Sequence, residues 1–87
     1  MYYLYILECT DGSFYTGITT EVERRFAEHK AGKGGNYTRA HEVMRVAYTE
    51  SCVNRSAALK RELAVKALSK EEKLALIRQH QKLSKPR

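Results

Sequence analysis

Cysteine is scarce in this chain. Cys9 and Cys52 are its only thiols, and two thiols without a Cys-x-x-Cys spacing build neither a disulfide framework nor a four-thiolate zinc site. They are expected to be ordinary buried thiols of a reducing cytoplasm. Proline occurs once and glycine five times in 87 residues, which excludes collagen-like and low-complexity chains. No apolar run approaches the roughly 18 residues that a membrane span requires, and the first residues lack the basic region and long apolar stretch of an export signal. A soluble, cytoplasmic protein with no membrane partner is therefore expected. Length is a shortage too, because a chain this short holds a single hydrophobic core. Residues 1–80 read as one domain, and residues 81–87 as a basic C-terminal tail.

What is present suffices to fold: 43% of the residues are hydrophobic and 30% are charged, unlike the composition of disordered segments. The net charge of +6 is unevenly distributed. Residues 1–51 hold six Lys/Arg against seven Asp/Glu, whereas residues 52–87 hold ten against three. A basic surface of this kind is attracted to polyanions such as nucleic acid, although solubilising charge alone accounts for the same excess.

Hydrophobic patterning predicts the elements. Tyr2 to Cys9 and Ser13 to Ile18 flank Asp11-Gly12, a dipeptide suited to the tight turn of a β-hairpin. Alternation puts Leu4 and Ile6 on one face of the first strand and Tyr3, Tyr5 and Leu7 on the other. Thr20-Glu21-Val22-Glu23 has the form of a capping box, predicting a helix that ends at Gly32. On it, Val22 and Phe26 form an apolar i, i+4 pair, and Arg25 and His29 a polar one. Residues 32–41, with three glycines and no period, read as a loop. Val43 to Thr49 reads as a third strand and Ser56 to Leu68 as a helix. Ser69-Lys70-Glu71-Glu72 is a second capping box, opening a helix to about His80. The predicted class is α+β, a small three-stranded antiparallel sheet flanked by three helices in the order β-β-α-β-α-α.

The residues able to carry chemistry are few: Tyr5, Tyr15, Arg25, His29, Tyr37, His41, Glu62 and the basic residues of the helices. Glu62 shares a helix stripe with Ala58 and Val65, at the edge of the apolar face. A carboxylate there needs a partner, either a nearby Lys or Arg or a metal ion. Arg25 and His29 are an ordinary solvated pair unless other donors converge on them to hold a phosphate. Tyr5 and Tyr15 would, taken singly, be strand aromatics chosen for packing.

Taken together, these positions resemble the motif series of the GIY-YIG nuclease superfamily, and in particular its small stand-alone bacterial members. The resemblance runs from Tyr3-Leu4-Tyr5 through Tyr15-Thr16-Gly17, Arg25, His29, Gly32-Lys-Gly-Gly and Tyr37-Thr-Arg to Glu62, covering nearly the whole chain. Tyr3 stands where the first triplet usually has glycine, and Thr16 where the second has Ile or Val. The resemblance implies a catalytic set of Tyr5, Tyr15, Arg25, His29 and Glu62. Glu62 would be the ligand of one divalent ion, Mg or Mn, and Tyr5, helped by His29, the base that activates water. It implies hydrolysis of phosphodiester bonds, most naturally in DNA. Around that centre Lys33, Arg39, Lys60 and Arg61 are candidate phosphate contacts and Tyr37 a candidate to stack on a base, with solubilising charge the competing account of each taken singly. A chain this short leaves no room for a separate recognition domain, so selection would rest on substrate shape, weak specificity or a protein partner. The competing expectation is a non-catalytic nucleic-acid-binding module that retains the nuclease fold.

Overall fold

The computed structural model describes residues 1–84, with side-chain surroundings to His80. Three strands, β1 (Tyr2–Cys9), β2 (Phe14–Thr19) and β3 (Val43–Cys52), form one antiparallel sheet in the order β2-β1-β3. The first strand is therefore the central one. This explains why Leu4, Tyr5, Ile6 and Leu7 are all buried in succession: helices cover both faces of β1, and alternation no longer separates core from solvent.

The two faces carry separate cores, rather than the single one expected of a chain this short, because the central strand is covered on both sides. Leu4 and Ile6 pack with Ala47, Tyr48 and Cys52 of β3, with Ala58 and Val65 of α3 (Arg55–Lys66), and with Ile77 of α4 (Lys70–Ser84). Tyr5, Leu7, Cys9 and Val43 pack on the opposite face with Val22 and Phe26 of α1 (Val22–Lys30). The predicted division of β1 into a Leu4/Ile6 face and a Tyr5/Leu7 face is thus the division between the two cores. Complete burial of Leu4, Ile6 and Leu7 contributes about 1.5–3 kcal/mol each. Where β3 passes Ile6 and Leu7 its register skips one residue. The bulge lets the adjacent Ala47 and Tyr48 both join the α3/α4 core, as a regular strand would not.

Several boundaries differ from expectation for identifiable reasons. Residues 32–41 are not wholly loop, because Asn36–Ala40 forms a short helix, α2, and the order becomes β-β-α-α-β-α-α with four helices rather than three. Nothing periodic announces those five residues; contacts with His29 and Tyr15, given below, hold them. β3 continues past Thr49 to Cys52 because Tyr2, Tyr3 and Leu4 of the central strand require pairing there. The capping box at Thr20 does not form: the cap of α1 is Glu21 without a side-chain bond, and buried Thr19 instead accepts from the Glu21 amide at 3.2 Å. The second box is present, with Ser69 and Glu72 exchanging bonds of 2.8 and 3.1 Å. Asn54 caps α3 by accepting from the Ala57 amide at 2.8 Å. Of the expected tail, residues 81–84 belong to α4, and residues 85–87 lie outside the described part. No described helix is long and apolar enough to cross a membrane.

Thr16 exposes a local conflict. It lies opposite Ile6 in the β1–β2 ladder, is 3% exposed, and its hydroxyl has no hydrogen-bond partner among the described residues. A buried hydroxyl without a partner costs about 1–3 kcal/mol, and valine would fill nearly the same volume. Thr16→Val is expected to raise the unfolding free energy by about 1 kcal/mol in chemical denaturation; a loss of stability would show that the hydroxyl is satisfied.

Candidate active site

The end of α1 turns the chain across its own last residues. Gly32, with φ of +79°, occupies the left-handed position after the helix. The Gly32 amide donates to the His29 carbonyl at 3.0 Å and the Lys33 amide to the Glu28 carbonyl at 2.8 Å, the paired bonds of a Schellman motif. This turn brings residues 34–38 back over His29. Gly34 lies so close to the imidazole that a Cβ there would overlap the ring. His29 is consequently 1% exposed, unusual for a histidine on a helix of mixed polarity.

Both ring nitrogens of the buried histidine are engaged. Nε2 lies 3.0 Å from the Tyr5 hydroxyl and Nδ1 lies 2.7 Å from the Thr38 hydroxyl. Tyr5, itself 2% exposed, reaches this point because its cross-strand partner is Gly17. A Cβ at Gly17 would stand 2.6 Å from the Tyr5 hydroxyl oxygen. The ring of Tyr15 completes the enclosure, with its centroid 4.9 Å from that of His29 and 6.3 Å from that of Tyr5.

Charge arrives from two helices. Arg25, one turn before His29 on α1, donates to Glu28 at 2.8 Å and to the Gly34 carbonyl at 3.1 Å. Those bonds orient a guanidinium whose side chain remains 32% exposed. Glu62 projects from α3, which packs against β2 and β1; it is 16% exposed and lies 3.4 Å from Lys66. The ion pair expected for a carboxylate at this edge is therefore present. Glu62 also sits close enough for its charge to act on Tyr5.

These surroundings set protonation. Burial, with the neighbouring Tyr15, pushes the Tyr5 hydroxyl up to about 12, against the opposing pull of Arg25. Burial and the Arg25 charge hold His29 below the ordinary histidine range. At neutral pH the pair is thus a phenol against an uncharged imidazole, ready to pass one proton but carrying no charge at rest.

The aromatic chain continues outward. Tyr37 of α2 stacks on Tyr15 at 5.8 Å, and His41 stacks on Tyr37 at 4.3 Å. The His41 Nδ1 is 2.8 Å from Asp11 in the β1–β2 turn. Hydrogen bonds from Ser13, then from His41, keep the Asp11 carboxyl well below the usual carboxylate range. Tyr37 is therefore stacked with two neighbouring rings and remains 38% exposed. Lys33 and Arg39 are exposed on the segment that walls in His29. Arg61 is turned to Glu50, with bonds of 2.8 and 3.0 Å. Lys60 stands about 160° around α3 from Glu62, since each helical residue turns by about 100°, and so lies away from the site. Sequence reasoning missed the roles of Thr38 and of the close approach of Gly34; the signal for both was their place in the Gly32-Lys-Gly-Gly and Tyr37-Thr-Arg stretches of the motif series.

Residues 1–75 match the GIY-YIG catalytic domain. The chain belongs to the GIY-YIG family. It is 55% identical over 74 residues to a UPF0213 protein of Cupriavidus pinatubonensis, covering 85% of this chain and 82% of that one. It is 47% identical over 76 residues to a UPF0213 protein of Halobacterium salinarum, covering 87% and 99%. Two NMR structures share the fold. One is the UPF0213 protein BH0048 of Bacillus halodurans, at 45% identity, TM-score 0.56 and coverage of 88% and 83%. The other is the E. faecalis protein EF2693, at 43%, TM-score 0.60 and coverage of 90% and 83%. As a small GIY-YIG domain the chain falls in a nuclease family. Its two departures from the usual triplets are structurally absorbed: Tyr3 stays half-buried beside α1, and Thr16 faces the other core. Gly17 is the triplet residue whose missing side chain admits Tyr5. Gly17→Ala should displace Tyr5, break its bond to His29 and cost about 1–3 kcal/mol of stability. Denaturation curves and the His29 ring resonances measure the two effects; an unchanged pair of ring shifts would show that Tyr5 does not depend on Gly17.

Proposed function

We propose that this GIY-YIG domain hydrolyses phosphodiester bonds in nucleic acid, DNA foremost, with one divalent ion held at Glu62. The observation that carries the reading is the buried bond between Tyr5 and an uncharged His29, flanked by Arg25 and by the Glu62 carboxylate. A module that only binds nucleic acid needs surface cations and has no use for a sequestered proton pair.

The donor set fits the proposed ion. Among the described residues no three His, Cys, Asp or Glu side chains gather as a multi-ligand centre, which speaks against a zinc-type cage. A single carboxylate suits Mg or Mn, hard ions that retain waters and complete their shell with substrate phosphate oxygens. Glu62 would hold the ion, exchanging its Lys66 contact for it, and a bound ion supplies Lewis-acid stabilisation of phosphate and leaving-group charge.

The protein's own groups account for the remaining steps. Arg25, oriented by Glu28 and the Gly34 carbonyl, offsets charge that builds on the phosphoryl oxygens. An attacking water gives a proton to the Tyr5 oxygen as the Tyr5 proton passes to His29 Nε2. The water oxygen bonds to phosphorus while the bond to the leaving 3′ oxygen breaks, and that oxygen later takes up a proton from solvent. With its hydroxyl pushed up to about 12, Tyr5 is a poor base acting alone at neutral pH; His29, kept uncharged, makes the transfer feasible. Tyr15 borders both rings and orients the water or phosphate. Lys33 and Arg39 line the approach as phosphate contacts. Tyr37 and His41, the outer rings of the series, offer the stacking surface for a base.

Cleavage of labelled single-stranded, duplex and branched DNA, and of RNA, with Mg or Mn tests the reading. Tyr5→Phe and Arg25→Ala should each lower the rate about 100-fold or more, and Glu62→Ala should abolish metal-dependent cleavage. Binding without cleavage across that panel would favour the non-catalytic module. Because His29 must be uncharged to accept the proton, activity should fall as pH drops through its depressed pKa. The acid limb should thus lie below the ordinary histidine value of about 6.5; a limb above it contradicts His29 as acceptor.

A further inference from the structure

The bond between Thr38 and His29 has a consequence that the catalytic set alone does not contain. Neutral imidazole carries one hydrogen, on either Nδ1 or Nε2, and the partner of one nitrogen decides what the other can do. The charged and titratable groups facing this ring are Arg25 and Glu28 of α1, Tyr5 of β1 and Tyr15 of β2. Arg25 lies beside the Tyr5 oxygen and has only hydrogens to offer. The phenolic hydrogen of Tyr5 is buried and needs an acceptor, and the only ring nitrogen within reach is His29 Nε2 at 3.0 Å. That nitrogen must then lack a hydrogen. The imidazole hydrogen sits on Nδ1, where a hydroxyl oxygen stands 2.7 Å away.

We infer that Thr38 is a positioning residue that holds His29 in its Nδ1–H form, so that Nε2 is free to take the proton of Tyr5. Thr38 is suited to this by its placement: it is 3% exposed, it sits on the short α2 helix, and Gly34 presses the ring from the same segment. Exchange of water at the hydroxyl is thereby excluded, and the ring cannot turn over without expelling residues 34–38. The glycine-rich turn after α1 therefore has a chemical purpose, because it returns an acceptor to the end of the helix that carries the histidine. The role in cleavage rests on the nuclease reading, whereas the tautomer does not.

The test is made on the full chain without metal or substrate. Long-range ¹H–¹⁵N spectra above neutral pH, where the ring is uncharged, report which nitrogen of His29 carries the hydrogen. The wild-type chain and Thr38→Ser should show Nδ1–H. Thr38→Val, which removes the acceptor at nearly constant volume while Tyr5 still calls for a bare Nε2, should weaken the preference and move a measurable share of the hydrogen to Nε2. A wild-type ring protonated at Nε2 overturns the inference without any variant being needed, and so does a Thr38→Val ring with the wild-type Nδ1–H population. In cleavage assays, Thr38→Val should lower kcat about 10–100-fold with little change in KM, the usual loss when a group that orients a functional histidine is removed, and Thr38→Ser should restore most of it. If the wild-type chain cuts none of the substrates, the nuclease reading fails, and the spectra still decide the role of Thr38.

Discussion

The hydrogen bond between Tyr5 and His29 is the constraint around which the rest of the molecule is arranged. Two polar rings stand almost wholly out of water, and burying such groups is unfavourable unless every hydrogen and lone pair finds a partner. The surrounding structure meets that demand piece by piece. Gly17 leaves room for the phenol on the sheet, Gly34 leaves room for the imidazole beneath the returning loop, and Thr38 satisfies the second ring nitrogen. The Gly32 turn is what brings Gly34 and Thr38 there at all. A sheet, a helix end and a loop are thus fastened at one point, and a change at any of these glycines acts on the pair rather than on its own element.

Charge is organised on a different principle. Most of the basic excess of the C-terminal part of the chain is carried by α3 and α4, whose cationic residues as far as Arg78 are mostly exposed, while the site has its own balanced charges. Arg25 is aligned by Glu28, Glu62 is matched by Lys66, and Arg61 is committed to Glu50. Ion pairs that keep at least one partner in contact with solvent contribute little stability, about 0–1 kcal/mol each. Their importance is orientational: they decide which cations are spoken for. Among the described residues Lys33 and Arg39, on the wall of the site, are exposed and in no ion pair, whereas Arg61 is held by Glu50.

Much of the architecture was legible because it follows from local chemistry. Alternation in β1 divided its side chains correctly between two cores, the Asp-Gly turn and the Ser69/Glu72 box were visible as short motifs, and Gly32 marked the end of α1. Tyr5, Tyr15, Arg25, His29 and Glu62 could be picked out as a set only through their resemblance to a motif series, since periodicity alone left each with an unremarkable structural role. The errors share one cause. Thr20 looked like a cap, but Thr19 is the residue that the buried strand end holds in position. Asn36–Ala40 looked like loop because its helix is held by stacking and by the Thr38 bond rather than by its own propensity.

By itself, the sequence determined the strands, three of the four helices, the single sheet and the identity of the groups available for chemistry, because these depend on near neighbours and on spacing along the chain. Only the tertiary structure decided how those groups are used. It placed a residue of β1 against a residue of α1 twenty-four positions away, withdrew both from water, raised the tyrosine and lowered the histidine, and stacked Tyr37 with Tyr15 and His41. Proton affinity and ring exposure depend on what surrounds a side chain in space, and for this site those surroundings come from strands, helix and loop that are distant in sequence and meet only when the chain is folded.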